Sequence, residues 1–324
     1  MDKFINKILI IRRYGGYGGI EHQIENISFG LITKGWQVHF LTDAASPLTE
    51  SLADGGVQVS IVPFGNMLAI AREICSICKK YDISIIQSHM LRESFYCRMA
   101  KLLRPSLVHI FRVHTYIDCS HIAQWKKNCY HAISWLTDFL VNHYVSINEF
   151  NVRELRGRTH IPARKITVVH NAVRPLRECE RAVPHKNGKI AMIANFVDFK
   201  GHDVLLDGLK LLKDRGHRFE AHLIGSVPGF GTPKEDRRRL DIVEQTIREY
   251  GLQDQVVMVG YQSDIAKAVS DCGMVVLPSD SEGTPNVLLE GILLDRIVIA
   301  SSVGGVPEFV IEGKTGFFNL LFDE

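Results

Sequence analysis

The chain has 324 residues, enough for two domains that each bury a core. Hydrophobic residues make up 46% and charged residues 23%, which excludes a disordered or collagen-like chain. Net charge is only +2, but residues 1–175 carry 21 Lys and Arg against 13 Asp and Glu, and the remainder 17 against 23. A basic first half suits an anionic acceptor or an acidic membrane surface, and equally a plain solvated surface. No run of Lys and Arg is dense enough to point to nucleic acid. Seven cysteines form no framework, which points to a reducing, cytoplasmic setting. No signal peptide is visible, and no apolar run reaches the ~18 residues that span a bilayer.

The first predicted strand is Lys7–Ile11. It leads into a loop with Gly15, Gly16, Gly18 and Gly19, then a helix over His22–Lys34. Glycines between a strand and a helix let backbone approach a ligand, but this spacing is not the dinucleotide-binding pattern. Strands follow at Gln37–Leu41, Gln58–Val62, Ile83–Gln87, Val108–Val113 and Tyr144–Ile147. Helices at Met67–Lys80, Arg92–Leu103 and Ile122–Asn142 separate most of them, so a parallel sheet is expected. Cys75 and Cys78 fall on the first of these helices and read as core cysteines. The Ile122–Asn142 helix has an apolar face with Trp125, Trp135, Phe139 and Leu140. That face suits core packing and, as a second reading, a lipid interface.

Two strand ends carry a histidine, His89 and His114, and the carboxyl end of a parallel strand is where ligands bind. For His89 a bond to nearby backbone is the competing reading. Ile166–Val169 is a further strand, ending in His170-Asn171-Ala172-Val173. The predicted division is a first domain over 1–175, a linker over 176–188 and a second domain over 189–324.

The second domain opens with the strand Ile190–Ile193. Asn195 to His202 leads into a helix ending near Asp214, with Lys200 beside its start. A fixed cation next to free N–H groups suits a diphosphate. Glu220–Ile224 is a strand, and residues 226–239 read as a polar insertion before a helix at Leu240–Tyr250. Gln255–Val259 is a strand ending at Gly260. A buried strand, Val275–Leu277, then ends at Pro278 and gives way to the loop 279–285. Thr284 is expected to cap a helix that starts at Pro285 and runs to about Leu294. Glu282 lies in the loop and Glu290 about two turns into the helix, eight positions on. Each alone reads equally well as a dipole partner or a solvated residue. Ile297–Ala300 is the next strand, followed by Val303-Gly304-Gly305-Val306.

The string from Pro278 through Glu308, with P-S-x-x-E-G-x-P-N-x-x-x-E-G and A-S-S-V-G-G-V-P-E, resembles the retaining glycosyltransferases of family four. Gly18-Gly19-Ile20-Glu21 and Lys200-Gly201 match that family as well. The resemblance implies an α/β fold of two Rossmann-like domains facing across a cleft, called GT-B. It also implies a nucleotide-sugar donor such as a UDP- or GDP-sugar, a saccharide or lipid-linked acceptor, and retention of anomeric configuration. On this reading Gly18 and Gly19 lie by the donor's phosphates and sugar, and His114 lies against the sugar. Lys200 clamps the diphosphate, Gly260 leads the chain to the base, and Thr284, Pro285 and Asn286 line the donor site. Glu282 holds sugar hydroxyls and Glu290 the ribose.

Asn195 stands where the family often has Arg, and Ala172 where it has Gly. The family continues past the equivalent of Glu324, so an incomplete second domain is expected. No D-x-D aspartate pair follows a strand, so neither a metal nor a cofactor is expected. Cell-surface polysaccharide assembly on the inner face of the membrane is the expected setting. A nucleotide-sugar epimerase, or an inactive sugar-nucleotide-binding relative, is the alternative.

Overall fold

The computed structural model describes residues 6–14, 18–115, 124–173, 188–227, 233–262 and 264–319. The chain divides into two compact units, Met1–Ala172 and Val173–Glu324. The predicted linker falls almost wholly on 174–187, outside the described residues.

Unit 1 alternates strands and helices: β1 (Lys7–Ile11), α1 (Gly19–Thr33), β2 (Gln37–Thr42), α2 (Pro47–Asp54), β3 (Gln58–Ile61), α3 (Met67–Lys80) and β4 (Ile85–Ser88). It continues with α4 (Leu91–Leu103), β5 (Val108–Val113), α5 (Gln124–Thr137), β6 (His143–Ser146), α6 (Glu149–Arg158) and β7 (Ile166–Val168). The seven strands are parallel, in the order β3-β2-β1-β4-β5-β6-β7. Leu9, Ile10 and Ile11 are fully buried, as an unbroken apolar strand covered on both faces should be.

Unit 2 repeats the plan with β8 (Lys189–Ile193), α7 (His202–Asp214), β9 (Glu220–Ile224), α8 (Pro233–Glu249) and β10 (Val256–Gly260). It ends with α9 (Ile265–Ala268), β11 (Met274–Leu277), α10 (Asn286–Leu293), β12 (Ile297–Ser301) and β13 (Phe317–Asn319). Its six strands are parallel, in the order β10-β9-β8-β11-β12-β13. Both units are thus Rossmann-like α/β layers, as expected. In each, the first strand lies mid-sheet and the order reverses beside it, at β1/β4 and at β8/β11. Such switch points open a crevice at the strands' carboxyl ends.

Several elements depart from the expected bounds. Helix α1 starts at Gly19 rather than His22, and α8 at Pro233 rather than Leu240. Helix α2 was not anticipated, although Ser46 caps it, Pro47 starts it, and Leu48 and Leu52 bury one face. Helix α5 does not pack its aromatic face into the core: Trp125, Trp135 and Leu136 are exposed, as is Phe139 in the turn Asp138–Leu140 that follows, and of the expected face only Leu140 in that turn is buried. The inner side is polar instead. Arg98 of α4 donates to the Ser134 carbonyl at 3.1 Å, the Thr137 hydroxyl at 2.6 Å and Asp138 at 3.1 Å. Cys78 and Cys97 are buried and Cys75 half-buried, in agreement with core cysteines, and burial pushes the Cys78 thiol up to about 12. Among the described residues no helix is long and apolar enough to cross a membrane.

Candidate active site

In unit 2 the crevice is built from three loops that follow β8, β11 and β12. After β8, Asn195 turns its side-chain oxygen onto Ser226, accepting from the hydroxyl at 3.1 Å and the backbone N–H at 3.4 Å. A short turn, Asp198–Lys200, precedes Gly201, which caps α7 at φ 71°. A Cβ at Gly201 would lie 1.8 Å from the Pro278 carbonyl oxygen, so backbone meets backbone there. Asp280 N–H donates to the Phe199 carbonyl at 2.9 Å, joining the first loop to the second. On the other side Gly304, at φ 56°, approaches so closely that a Cβ would lie 1.7 Å from the Glu282 carbonyl oxygen. Gly305 N–H donates to the Gly283 carbonyl at 3.0 Å. Glu282 is therefore gripped from both flanks.

The result is an ion pair. Lys200 Nζ donates to Glu282 Oε1 at 2.6 Å, with the side chains 20% and 8% exposed. The family resemblance assigned each residue a ligand of its own, and their contact was not anticipated. Pro285 is the residue before α10, with no side-chain cap, so Thr284 does not cap the helix as expected. Thr284 and Asn286 are buried at the same edge. Glu290 is the fifth residue of α10 and half-buried, one turn in rather than two. Gly260, at φ 79°, ends β10 and accepts from Gly225 N–H at 3.0 Å, two strands from β8 along the same edge.

In unit 1 the chain after β1 is held by three acids, of which the sequence singles out only Glu21, in the Gly18-Gly19-Ile20-Glu21 match. Arg12 pairs with Glu21 at 3.1 Å and with Glu93 at 3.3 Å, and Glu93 also accepts from Arg13 N–H at 2.8 Å. Asp43 accepts from Tyr14 N–H at 2.7 Å. Gly15 to Tyr17 lie outside the described residues. Gly18 caps α1, its N–H donating to Glu21 Oε2 at 3.1 Å, and Gly19 is the first helical residue. His114 follows β5 and is buried. Among the described residues the His89 ring bonds to no nearby backbone; it is fully buried and its Nδ1 lies 2.9 Å from His114 Nε2. Burial above all, then the charges of Arg112 and Arg12, hold the His114 pKa well below the ordinary value, so its ring is neutral.

The two crevices share a device. Arg12, after β1, reaches Glu93 across 81 residues, and Lys200, after β8, reaches Glu282 across 82. Each ion pair bridges its unit's switch point. Unit 2 thus offers a cation, carboxylates and a helix start, and unit 1 an ion-paired loop, a helix start and a neutral imidazole, each of a kind that suits an anionic or hydroxyl-rich ligand.

Two families match almost end to end. Residues 17–177 match Glycosyltransferase Family 4, and residues 178–319 match Glycosyl transferases group 1. The chain belongs to the glycosyltransferases built from these two domains, and its fold is GT-B. It is 28% identical over 166 residues to the putative colanic acid biosynthesis glycosyltransferase WcaL of Salmonella typhimurium, covering 48% of this chain and 38% of that one. It is 26% identical over 142 residues to the capsular polysaccharide biosynthesis glycosyltransferase CapM of Staphylococcus aureus, covering 44% and 35%. The match thus spans less than two-fifths of these relatives' length. Among solved structures, Anabaena HepE in complex with UDP-glucose aligns with a TM-score of 0.81 at 16% identity, over 97% of this chain and 85% of that one. The name "glycosyltransferase" across these families does not favour the epimerase alternative.

Proposed function

We propose that this protein transfers a sugar from a nucleotide-sugar donor to a saccharide or lipid-linked acceptor, with retention, in cell-surface polysaccharide assembly. The observation that carries the reading is the Lys200–Glu282 pair at the β8/β11 switch point. A cation there offsets charge that builds on a departing diphosphate, which is electrostatic stabilisation of the transition state. Glu282, once the donor's phosphate competes for Lys200, is released to accept sugar hydroxyls. Glu290 accepts from the ribose, and His114 donates to a sugar hydroxyl. With Asn195 turned onto Ser226, no guanidinium is available from that position for a bidentate phosphate bond. Lys200 and backbone N–H groups then carry the phosphates, without a metal or cofactor.

Thermal-shift screening against UDP- and GDP-sugars, followed by a transfer assay with and without chelator, tests this. Stabilisation by one nucleotide sugar, with transfer to a saccharide that survives chelation and keeps the anomeric configuration by NMR, is the expected result. Sugar isomerisation without an acceptor would support an epimerase instead.

The exposed Trp125, Trp135 and Leu136 of α5 and Phe139 in the turn after it, together with the excess of 21 basic over 13 acidic residues in 1–175, support docking on an anionic lipid surface. Co-sedimentation with phosphatidylglycerol vesicles but not with phosphatidylcholine vesicles is expected. Leu136→Ser with Phe139→Ser should abolish it.

A further inference from the structure

We propose that His89 is the positioning residue for His114: it holds His114 Nε2 and, with Gln87 behind it, makes His114 Nδ1 a hydrogen-bond donor to the ligand. This rests on the reading that His114 contacts the donor sugar.

Gln87 and His89 leave β4 on one face, two positions apart, and His114 follows the neighbouring strand β5. Gln87 Nε2 lies 3.3 Å from His89 Nε2, and His89 Nδ1 lies 2.9 Å from His114 Nε2. The two rings are 5.1 Å apart and inclined by 27°. All three side chains are buried.

Proton placement follows from counting donors. An amide nitrogen only donates, so His89 Nε2 accepts from Gln87. A neutral imidazole has one N–H, so the His89 proton sits on Nδ1 and is donated to His114 Nε2. The His114 proton is then on Nδ1, which meets no hydrogen-bond partner among the described residues. Both rings stay neutral, because burial first, then for His89 the neighbouring His114, and for both Arg112 and Arg12 push their pKa values well down. His114 therefore offers an N–H to a lone pair and cannot serve as a proton acceptor at that atom. The role is that of an oriented donor to a hydroxyl or other ligand oxygen, not of a general base.

The test is nitrogen-15 NMR of the imidazole tautomers in the full chain, labelled at histidine, with no sugar present. Wild type should show both His89 and His114 protonated at Nδ1. His89→Asn keeps a donor near the Nδ1 position and should preserve the His114 signature. His89→Leu should lose the single tautomer, and so should Gln87→Met, which keeps the volume and removes the donor. Loss of this donor should also lower transfer about tenfold, the effect of one hydrogen bond. A His114 proton on Nε2 in wild type, or an unmixed Nδ1 tautomer in both Gln87→Met and His89→Leu, would overturn the proposal. The NMR result stands whether or not sugar transfer is found, so the two readings fail separately.

Discussion

Lys200 and Glu282, 82 residues apart, form a 2.6 Å ion pair between the loops that follow two adjacent parallel strands. The Glu282 side chain is 8% exposed and meets the Lys200 ammonium directly. Lys200→Met should destabilise unit 2 by about 1–3 kcal/mol, the range for leaving a charged group without its hydrogen bond. It should also cut transfer at least ~100-fold, if Lys200 meets the leaving diphosphate. Chemical unfolding and steady-state kinetics measure both. A Met variant with wild-type turnover removes Lys200 from the mechanism.

Glu290→Ala isolates binding from folding. The side chain is half-buried on α10, and its loss should change stability by less than ~1 kcal/mol. Calorimetry should nevertheless show the donor dissociation constant rising ~10-fold or more, as for a lost charge-assisted bond. Unchanged nucleotide affinity would count against its assignment to the ribose.

Two glycines should behave differently. Gly304→Ala puts a methyl 1.7 Å from the Glu282 carbonyl at positive φ and should cost upwards of ~2 kcal/mol. Among the described residues a Cβ at Gly18 meets only Glu21 Oε2 at 3.8 Å, so Gly18→Ala should fold normally. If Gly18 leaves room for the donor's phosphates, that folded variant should bind the donor more weakly. Comparing melting temperature with affinity for both variants checks the contrast.

Acid should loosen both units through buried imidazoles. His202, stacked on Phe196 at 4.8 Å, is held down to about 4, and His109 to about 3, in each case chiefly by burial. The ordinary value is 6.5. The stability these neutral rings allow is complete above 6.5 and is lost as pH falls toward the folded values. Below 6.5 each ring should steepen the loss by about 1.4 kcal/mol per pH unit. Urea unfolding of His202→Gln between pH 7 and 5 should show a correspondingly shallower slope. An identical slope would exonerate His202.

The strands were the most legible part, because unbroken apolar runs such as residues 8–11 of β1 mark chain buried on both faces. Single candidate residues stood out too, since strand ends followed by Gly, His, Lys or Glu are conspicuous. Their contacts were not: no local pattern joins Lys200 to Glu282 or Arg12 to Glu93, which the sheet order alone brings together. His89 shows the same limit, as its partners lie on two strands. Helix α5 misled for another reason. A broad apolar face usually marks a core, but Arg98 fills the inner side and turns the aromatics outward. At α10, Thr284-Pro285 looks like a cap and a first turn, yet the helix begins one residue later.

The bridged switch points bear on the order in which the molecule is made. A ribosome releases Lys200 long before Glu282, and Gly304 later still. Until that stretch emerges, the Lys200 loop has neither its counter-charge nor the backbone it rests on. The crevice of unit 2 therefore closes only once the stretch through Gly304 is out, and ligand binding during synthesis would report that event rather than the folding of β8 and α7.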